Sequence, residues 1–172
     1  YYWTANSISY DVENMYEVKF DEKIENRITR AFKNKKGVCF DYATIFKQLA
    51  NSVGINAVVV TGYTKWNKIK IDNLSHAWNA ARVDNKWCLF DPTWGAGFVR
   101  YGVFTKSFDD KHFKVDPNIM INTHMPFDYL WQLRDYPITN QEFMEGVYAG
   151  EVQKKRFDFN KEIERYEKLP KV

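Results

Sequence analysis

The sequence contains few of the residues that mark several specialised protein classes. Two cysteines among 172 residues are too few for a disulfide framework or a four-cysteine zinc site, although one disulfide remains arithmetically possible. Five prolines and eight glycines exclude collagen-like chains and low-complexity chains rich in glycine or proline. Uninterrupted apolar runs are much shorter than the roughly 20 residues of a membrane-spanning helix. The sequence therefore predicts no membrane span.

Charge of neither sign is in excess. The chain carries 25 Lys and Arg against 22 Asp and Glu, for a net charge of +3, and its basic residues are scattered. We therefore expect no nucleic-acid partner. Aromatic residues are abundant, at 17% of the chain, while the hydrophobic fraction of 45% is typical of globular proteins. A chain of this length and composition can bury a substantial core without disulfides or metals.

The chain is predicted to have two parts. Residues 1–146 are expected to form one domain. Residues 147–172 form a charged segment in which Phe159, Ile163 and Tyr166 follow helical spacing, as in a short helix or a frayed tail. Because the chain opens with Tyr-Tyr-Trp and has no initiating Met, we expect its N-terminus to be truncated.

The central part of the sequence predicts a helix followed by antiparallel strands. Residues 39–52 carry an apolar stripe at helical spacing, formed by Tyr42, Ile45, Phe46, Leu49 and Val53. A β-branched run over 55–61 predicts a buried strand. Two more strands, at 74–83 and 86–90, flank a two-residue turn. This order of elements favours the α+β class.

The two cysteines have different predicted roles. Cys39 opens the predicted helix, where the positive end of the helix dipole favours a thiolate. Taken alone, a lone cysteine is more often a buried structural residue. Asp41, in the same first turn, is expected to stabilise the helix dipole rather than to act in catalysis. Cys88 is expected to be a small buried side chain and not a disulfide partner of Cys39.

His76 and Asp91 strengthen the chemical interpretation of Cys39, because the predicted hairpin brings them together. The turn pairs Val83 with Lys86, so that His76 and Asp91 share one face of the sheet as diagonal neighbours. For Asp91 alone, initiation of a turn is the simpler explanation. Together with Cys39 they supply a thiol nucleophile, a base and a carboxylate that orients the base.

Several segments resemble the core of the transglutaminase-like superfamily and follow its order. They are GVCFDYA at 37–43, GINA at 54–57, GY at 62–63, HAWN at 76–79 and DPTW at 91–94. Residues 3–11 and 117–133 are similar to the branch that contains kyphoscoliosis peptidase and its bacterial relatives. The resemblance implies a papain-like α+β fold, in which a nucleophile-bearing helix packs on an antiparallel β-sheet.

The same resemblance implies roles for individual residues. Cys39, His76 and Asp91 correspond to a catalytic triad. Trp3 corresponds to a tryptophan whose indole N–H, together with the backbone N–H of Cys39, stabilises the oxyanion; the alternative for Trp3 is a core aromatic side chain. No metal or cofactor is expected, because the three histidines have no ligand-like spacing.

Three further aromatic residues and two histidines lie in or near these motifs. Trp78 and Trp94 flank the predicted site and are candidates for substrate binding, although core packing is the simpler role for such large side chains. Tyr63, after the first strand, is a third candidate for substrate binding. His112 lies in a charged loop and is expected to be solvated. His124 is expected to be a structural histidine.

The predicted function is cysteine-dependent acyl transfer on protein or peptide amides through a thioester acyl-enzyme. Transfer to water makes such an enzyme a peptidase or amidase, and transfer to an amine makes it a transglutaminase. The sequence leaves this choice open, and the resemblance favours hydrolysis. The alternative is a catalytically silent transglutaminase-like module that binds protein. The sequence does not define the oligomeric state or the compartment, although a secreted or periplasmic bacterial location is favoured over a cytoplasmic one.

Overall fold

The structure combines helices with strands that are mostly antiparallel. The computed structural model describes residues 1–17, 22–66, 70–146 and 154–170. Its helices are α1 (Tyr2–Ser7), α2 (Ile24–Asn34), α3 (Cys39–Ser52), α4 (Pro117–Met120), α5 (Asn140–Glu145) and α6 (Phe159–Glu167), with 3₁₀ turns at Trp94–Ala96 and Tyr129–Gln132. Within the described residues, no helix is both long enough and apolar enough to cross a bilayer.

The strands form one larger sheet and two small ones. They are β1 (Ser9–Tyr10), β2 (Lys36–Gly37), β3 (Ala57–Trp66), β4 (Lys70–Val83), β5 (Lys86–Phe90), β6 (Gly97–Arg100), β7 (Val103–Lys106) and β8 (His124–Pro126). The larger sheet has the order β5-β4-β3-β8, while β1 pairs with β2 and β6 pairs with β7. This mixture of helices and antiparallel strands confirms the predicted α+β class.

The chain divides into two compact units. The first comprises Tyr1–Val60 and His76–Val115, and the second comprises Thr61–Ser75 and Asp116–Val172. The three residues predicted to act as nucleophile, base and orienting carboxylate all belong to the first unit. The predicted division into 1–146 and 147–172 stays a prediction.

Helix α3 has the bounds that its apolar spacing predicts. Tyr42 and Ile45 pack against α1 and α2, whereas Phe46 packs against β3, β4 and β5. The predicted stripe is wrong at its C-terminal end, where Leu49 and Val53 are 39% and 71% exposed. The reason is that the buried residues of the helix end at Phe46. The expected packing of this helix on the sheet is confirmed.

The first turn of α3 is fixed by Asp41. Its Oδ2 accepts a hydrogen bond from the backbone N–H of Val38 at 2.8 Å, which satisfies one of the open donors of a helix start. Its Oδ1 accepts from Nε of Arg27 in α2 at 2.5 Å. A Cβ atom on Gly37 would lie only 2.7 Å from the Cβ of Asp41, so glycine is required there. The structural role predicted for Asp41 is confirmed.

The β4–β5 hairpin has the predicted register. Val83 pairs with Lys86 across a two-residue turn. Asp84 and Asn85 adopt φ angles of 51° and 62°, the left-handed conformations that this tight turn requires and that Asp and Asn tolerate. The register determines which side chains of the two strands share a face.

The C-terminal segment contains a helix rather than a frayed tail. Asp158 caps α6 by accepting a hydrogen bond from the backbone N–H of Lys161 at 3.1 Å. Of the residues at helical spacing, Ile163 is buried, whereas Tyr166 is 63% exposed. Phe159, the third residue at helical spacing, is half-buried.

Asn79 connects α3 to the strands. Its Nδ2 donates to the carbonyl oxygen of Ala43 in α3 at 2.8 Å and to that of Val58 in β3 at 3.0 Å. The side chain is fully buried. Two buried hydrogen bonds from one amide therefore tie the first turns of the helix to the sheet.

We expect Asn79→Ala to lower the free energy of unfolding by about 2 kcal/mol, because both buried hydrogen bonds are lost. Urea denaturation followed by circular dichroism measures this loss. Asn6→Ala is the matched control, since the exposed Asn6 amide bonds only to the Tyr2 carbonyl of its own helix. Its expected cost is below about 0.5 kcal/mol. Equal losses in the two variants would contradict the role given to Asn79.

Candidate active site

Cys39 is the first residue of α3 and follows Val38, which is extended. Its side chain is half-buried and forms no disulfide. Cys88 is also free of disulfides, which confirms that the two cysteines are not paired. The full burial expected for Cys88 is wrong, because β5 is the outermost strand of its sheet and leaves the side chain half-buried. Cys39 is thus a partly exposed residue.

Asp91 follows β5 and is fully buried. Its Oδ1 accepts hydrogen bonds from the backbone N–H groups of Thr93 at 2.8 Å and Trp94 at 3.0 Å. Its Oδ2 lies 2.6 Å from Nε2 of His76. Asp91 therefore has the contacts of both roles considered for it. One oxygen closes the turn after β5, and the other bonds to the imidazole of His76.

His76 lies on β4 and is 9% exposed. Burial by itself lowers the pKa of an imidazole. The Asp91 carboxylate acts in the opposite direction, as does the Cys39 side chain, and together they raise the pKa of His76 to about 10. The structure thus brings Cys39, His76 and Asp91 together, with the histidine hydrogen-bonded to Asp91.

Two tryptophans pack against the His76 ring. Trp78 is 1% exposed and stacks on His76 with ring centroids 6.0 Å apart. Trp94 is half-buried, with its ring centroid 5.9 Å from that of His76. Trp78 therefore belongs to the core, as its simpler predicted role required. Substrate binding by Trp78 and Trp94 stays a prediction.

Trp3 lies on α1, and its indole is stacked on the ring of Phe32 at 4.9 Å between centroids. The ammonium of Lys35 lies 4.4 Å from the Trp3 ring centroid. The alternative of a core aromatic is wrong, because Trp3 is 39% exposed. Its predicted role as a hydrogen-bond donor to the oxyanion stays a prediction.

Tyr63 lies inside β3, which continues past the predicted strand at 55–61. It belongs to the second unit, is 40% exposed and packs edge-to-face on Phe127 at 4.8 Å. Its substrate-binding role stays a prediction. His124, in the same unit, is buried, with Nδ1 2.7 Å from Oγ1 of Thr123, as expected for a structural histidine.

His112 differs from its prediction. It is half-buried rather than solvated, and its ring packs edge-to-face on Trp94, with centroids 5.4 Å apart and planes at 89°. Its carbonyl oxygen accepts the backbone N–H of Asp91 at 3.0 Å. The surrounding loop has no periodic pattern that indicates burial, so no signal in the sequence placed His112 beside these residues.

Comparisons with known proteins identify a family and relatives. The model of the Transglutaminase-like superfamily matches residues 1–92, which include Cys39, His76 and Asp91. Kyphoscoliosis peptidase of Mus musculus is 29% identical over 153 residues, covering 85% of this chain and 23% of that protein. The Homo sapiens protein of the same name is 28% identical over 153 residues, with the same coverage.

Solved structures give a more distant likeness. The crystal structure of a TGase is 24% identical, covers 65% of this chain and 29% of that chain, and superposes with a TM-score of 0.42. The chain spans less than a quarter of the length of the two kyphoscoliosis peptidases. The likeness is thus to one segment of larger proteins.

The raised pKa of His76 predicts a specific pH dependence. Since its pKa is about 10 in the folded chain against 6.5 ordinarily, the stabilising contribution of His76 is fully present below pH 6.5 and is lost as the pH rises through about 10.

Asp91→Asn removes the charge that raises the pKa of His76, while burial continues to lower it. We expect the titration midpoint of the His76 ring, followed by NMR, to fall below 7. An unchanged midpoint would show that Asp91 does not control this histidine.

Proposed function

Because the chain belongs to the transglutaminase-like superfamily, we propose that it is a cysteine-dependent acyl-transfer enzyme acting on protein or peptide amides. Cys39 is the proposed nucleophile, His76 the proton carrier and Asp91 the orienting carboxylate. The observation that supports this most strongly is the 2.6 Å hydrogen bond between Nε2 of buried His76 and Oδ2 of Asp91. The Cys39 side chain is near enough to this imidazole to raise its pKa. Family membership also confirms the resemblance inferred from the sequence.

The first proposed step is acylation. Asp91 occupies Nε2 of His76, which leaves Nδ1 as the nitrogen that exchanges a proton with Cys39. The sulfur of Cys39 attacks the amide carbonyl carbon and forms a C–S bond. The C–N bond then breaks, and the amine leaves with a proton from the His76 imidazolium. The product is a thioester on Cys39 and a neutral imidazole.

The second proposed step is deacylation. His76 takes a proton from a water molecule, whose oxygen attacks the thioester carbonyl. The C–S bond breaks and the acid is released. Cys39 leaves as a thiolate, and the proton taken from water stays on the Cys39–His76 pair. An amine in place of water gives a new amide. With an amine acceptor, Cys39 and His76 would act in the same order. We propose hydrolysis, which is supported by the relatives named peptidases.

The proposed oxyanion donors are the backbone N–H of Cys39 and the indole N–H of Trp3. As the first residue of α3, Cys39 has an N–H with no carbonyl partner inside the helix. Helix α1, which carries Trp3, is anchored to α3 because Oη of Tyr42 donates to the carbonyl oxygen of Ile8 at 2.6 Å. This anchoring supports a fixed position for Trp3 relative to Cys39.

Loss of the thiol is the direct test of the enzyme. We expect Cys39→Ala to abolish turnover of peptide substrates, assayed both as new peptide N-termini and as ammonia released from glutamine side chains. Cys88→Ala is the matched control and should retain full activity, because Cys88 lies on β5 away from the histidine face. Turnover that survives in Cys39→Ala would refute the proposal.

The second measurement needs no substrate. We expect iodoacetamide to alkylate Cys39 at pH 7 about tenfold or more faster than an ordinary thiol, of which only a few per cent is thiolate. His76→Ala should remove this excess. If Cys39 reacts like an ordinary thiol and does not respond to His76, the chain is the silent binding module instead.

The oxyanion role of Trp3 has its own signature. We expect Trp3→Phe to lower kcat by about 10²–10³, since one oxyanion donor is lost while the aromatic stack on Phe32 is kept. The alkylation rate of Cys39 should not change, because that reaction forms no oxyanion. A kcat within about threefold of the original would exclude Trp3 as a donor.

A further inference from the structure

His112 is part of a closed set of contacts around Asp91. The carbonyl oxygen of His112 accepts the backbone N–H of Asp91 at 3.0 Å. Oδ1 of Asp91 accepts the backbone N–H of Trp94, also at 3.0 Å. The Trp94 ring in turn packs edge-to-face on the His112 ring at 5.4 Å. These three residues therefore fix one another through one backbone–backbone hydrogen bond, one hydrogen bond from a backbone N–H to a carboxylate, and one ring contact.

Trp94 links this set to the proposed proton carrier. The centroid of its ring lies 5.9 Å from that of the His76 ring, with the two planes at 45°. The same ring lies 5.4 Å from the His112 ring, again between centroids, with the planes at 89°. The backbone of Trp94 is held by Asp91, but that bond does not fix its side-chain torsions. The ring of His112 restricts where the indole can lie, and hence how it covers His76.

We propose that His112 is a positioning residue, whose ring holds Trp94 against His76 and so keeps the Cys39–His76 pair in its reactive arrangement. This inference rests on the proposed function, because it concerns the reactivity of the same thiol. His112 itself acts through Trp94 and transfers no proton.

The chemistry of the His112 ring is consistent with packing rather than charge. Burial lowers the pKa of His112 from its ordinary 6.5, against the opposing charges of Asp91 and Asp109, while His76 and Lys111 lower it further. The lowered pKa favours the uncharged form of the ring. An uncharged, edge-to-face aromatic contact is one that phenylalanine can also make.

The experiment measures the alkylation rate of Cys39 at pH 7.5 by mass spectrometry of the Cys39-containing peptide. We expect His112→Ala to lower the rate about three- to tenfold, the range in which an aromatic pair of this kind contributes. His112→Phe should restore the rate to within about twofold of the original, because the ring contact is kept.

Lys111→Ala is the matched control, because Lys111 is an exposed neighbour on the same loop. This variant should not change the rate. Circular dichroism verifies folding, and His112→Gln replaces His112→Ala if the latter does not fold.

Each outcome decides one question. If the original chain shows no excess reactivity at Cys39, the proposed function fails. If Cys39 is reactive and His112→Ala leaves its rate unchanged, the positioning role alone is wrong. If His112→Phe loses as much as His112→Ala, the ring contact is not the cause and the inference is likewise overturned.

Discussion

The first unit depends on the buried hydrogen bond between His76 and Asp91. A carboxylate that is fully removed from water costs several kcal/mol unless its charge is compensated. Here three donors compensate it, from His76, Thr93 and Trp94. The backbone N–H groups of Thr93 and Trp94 follow β5, whereas the imidazole of His76 lies on β4. The carboxylate therefore ties β4 to the turn that follows β5. A slip of one residue in the hairpin would turn His76 to the other face and remove its hydrogen bond to this carboxylate.

Placement of the thiol depends on a second set of contacts, at the start of α3. Asp41 holds the first turn through Val38 and Arg27, and Gly37 leaves the space that Asp41 occupies. Asn79 ties the following turn to the strands and lies only three residues after His76. The β4 segment that carries the base therefore also holds the helix that carries the nucleophile. Such coupling reduces the freedom of Cys39 relative to His76 without any direct bond between their backbones.

The sequence predicts these elements unequally well. The bounds of α3 follow from an apolar stripe of period 3.6, and the hairpin register follows from Asp84 and Asn85, because both are local signals. The stripe predicts burial of Leu49 and Val53 as well. This prediction fails because a periodic stripe does not reveal how far the neighbouring elements reach. The proximity of Cys39 to His76 came from family resemblance and not from periodicity, since contacts between distant segments leave no local pattern.

His112 could not be placed at all, for the same reason. Its position is set by the backbone bond from Asp91 and by the bond from Val115 N–H to Leu89 carbonyl oxygen, which fix this loop along β5. Charged neighbours on the loop favour a solvated side chain, and Asp110 and Lys111 are indeed exposed, whereas Asp109 is half-buried. The His112 ring packs on Trp94, and a single side chain carries no periodicity.

The distribution of burial over the three residues matches the chemistry proposed for them. Asp91 is fully buried, His76 is 9% exposed and Cys39 is half-buried, so that exposure increases from the orienting carboxylate to the nucleophile. A dry carboxylate keeps the imidazole oriented because no water competes for its oxygens. The thiol has the opposite requirement, since a protein or peptide amide must reach it. The aromatic excess of the sequence contributes to this gradient, because the buried Trp78 and the half-buried Trp94 both pack against the His76 ring.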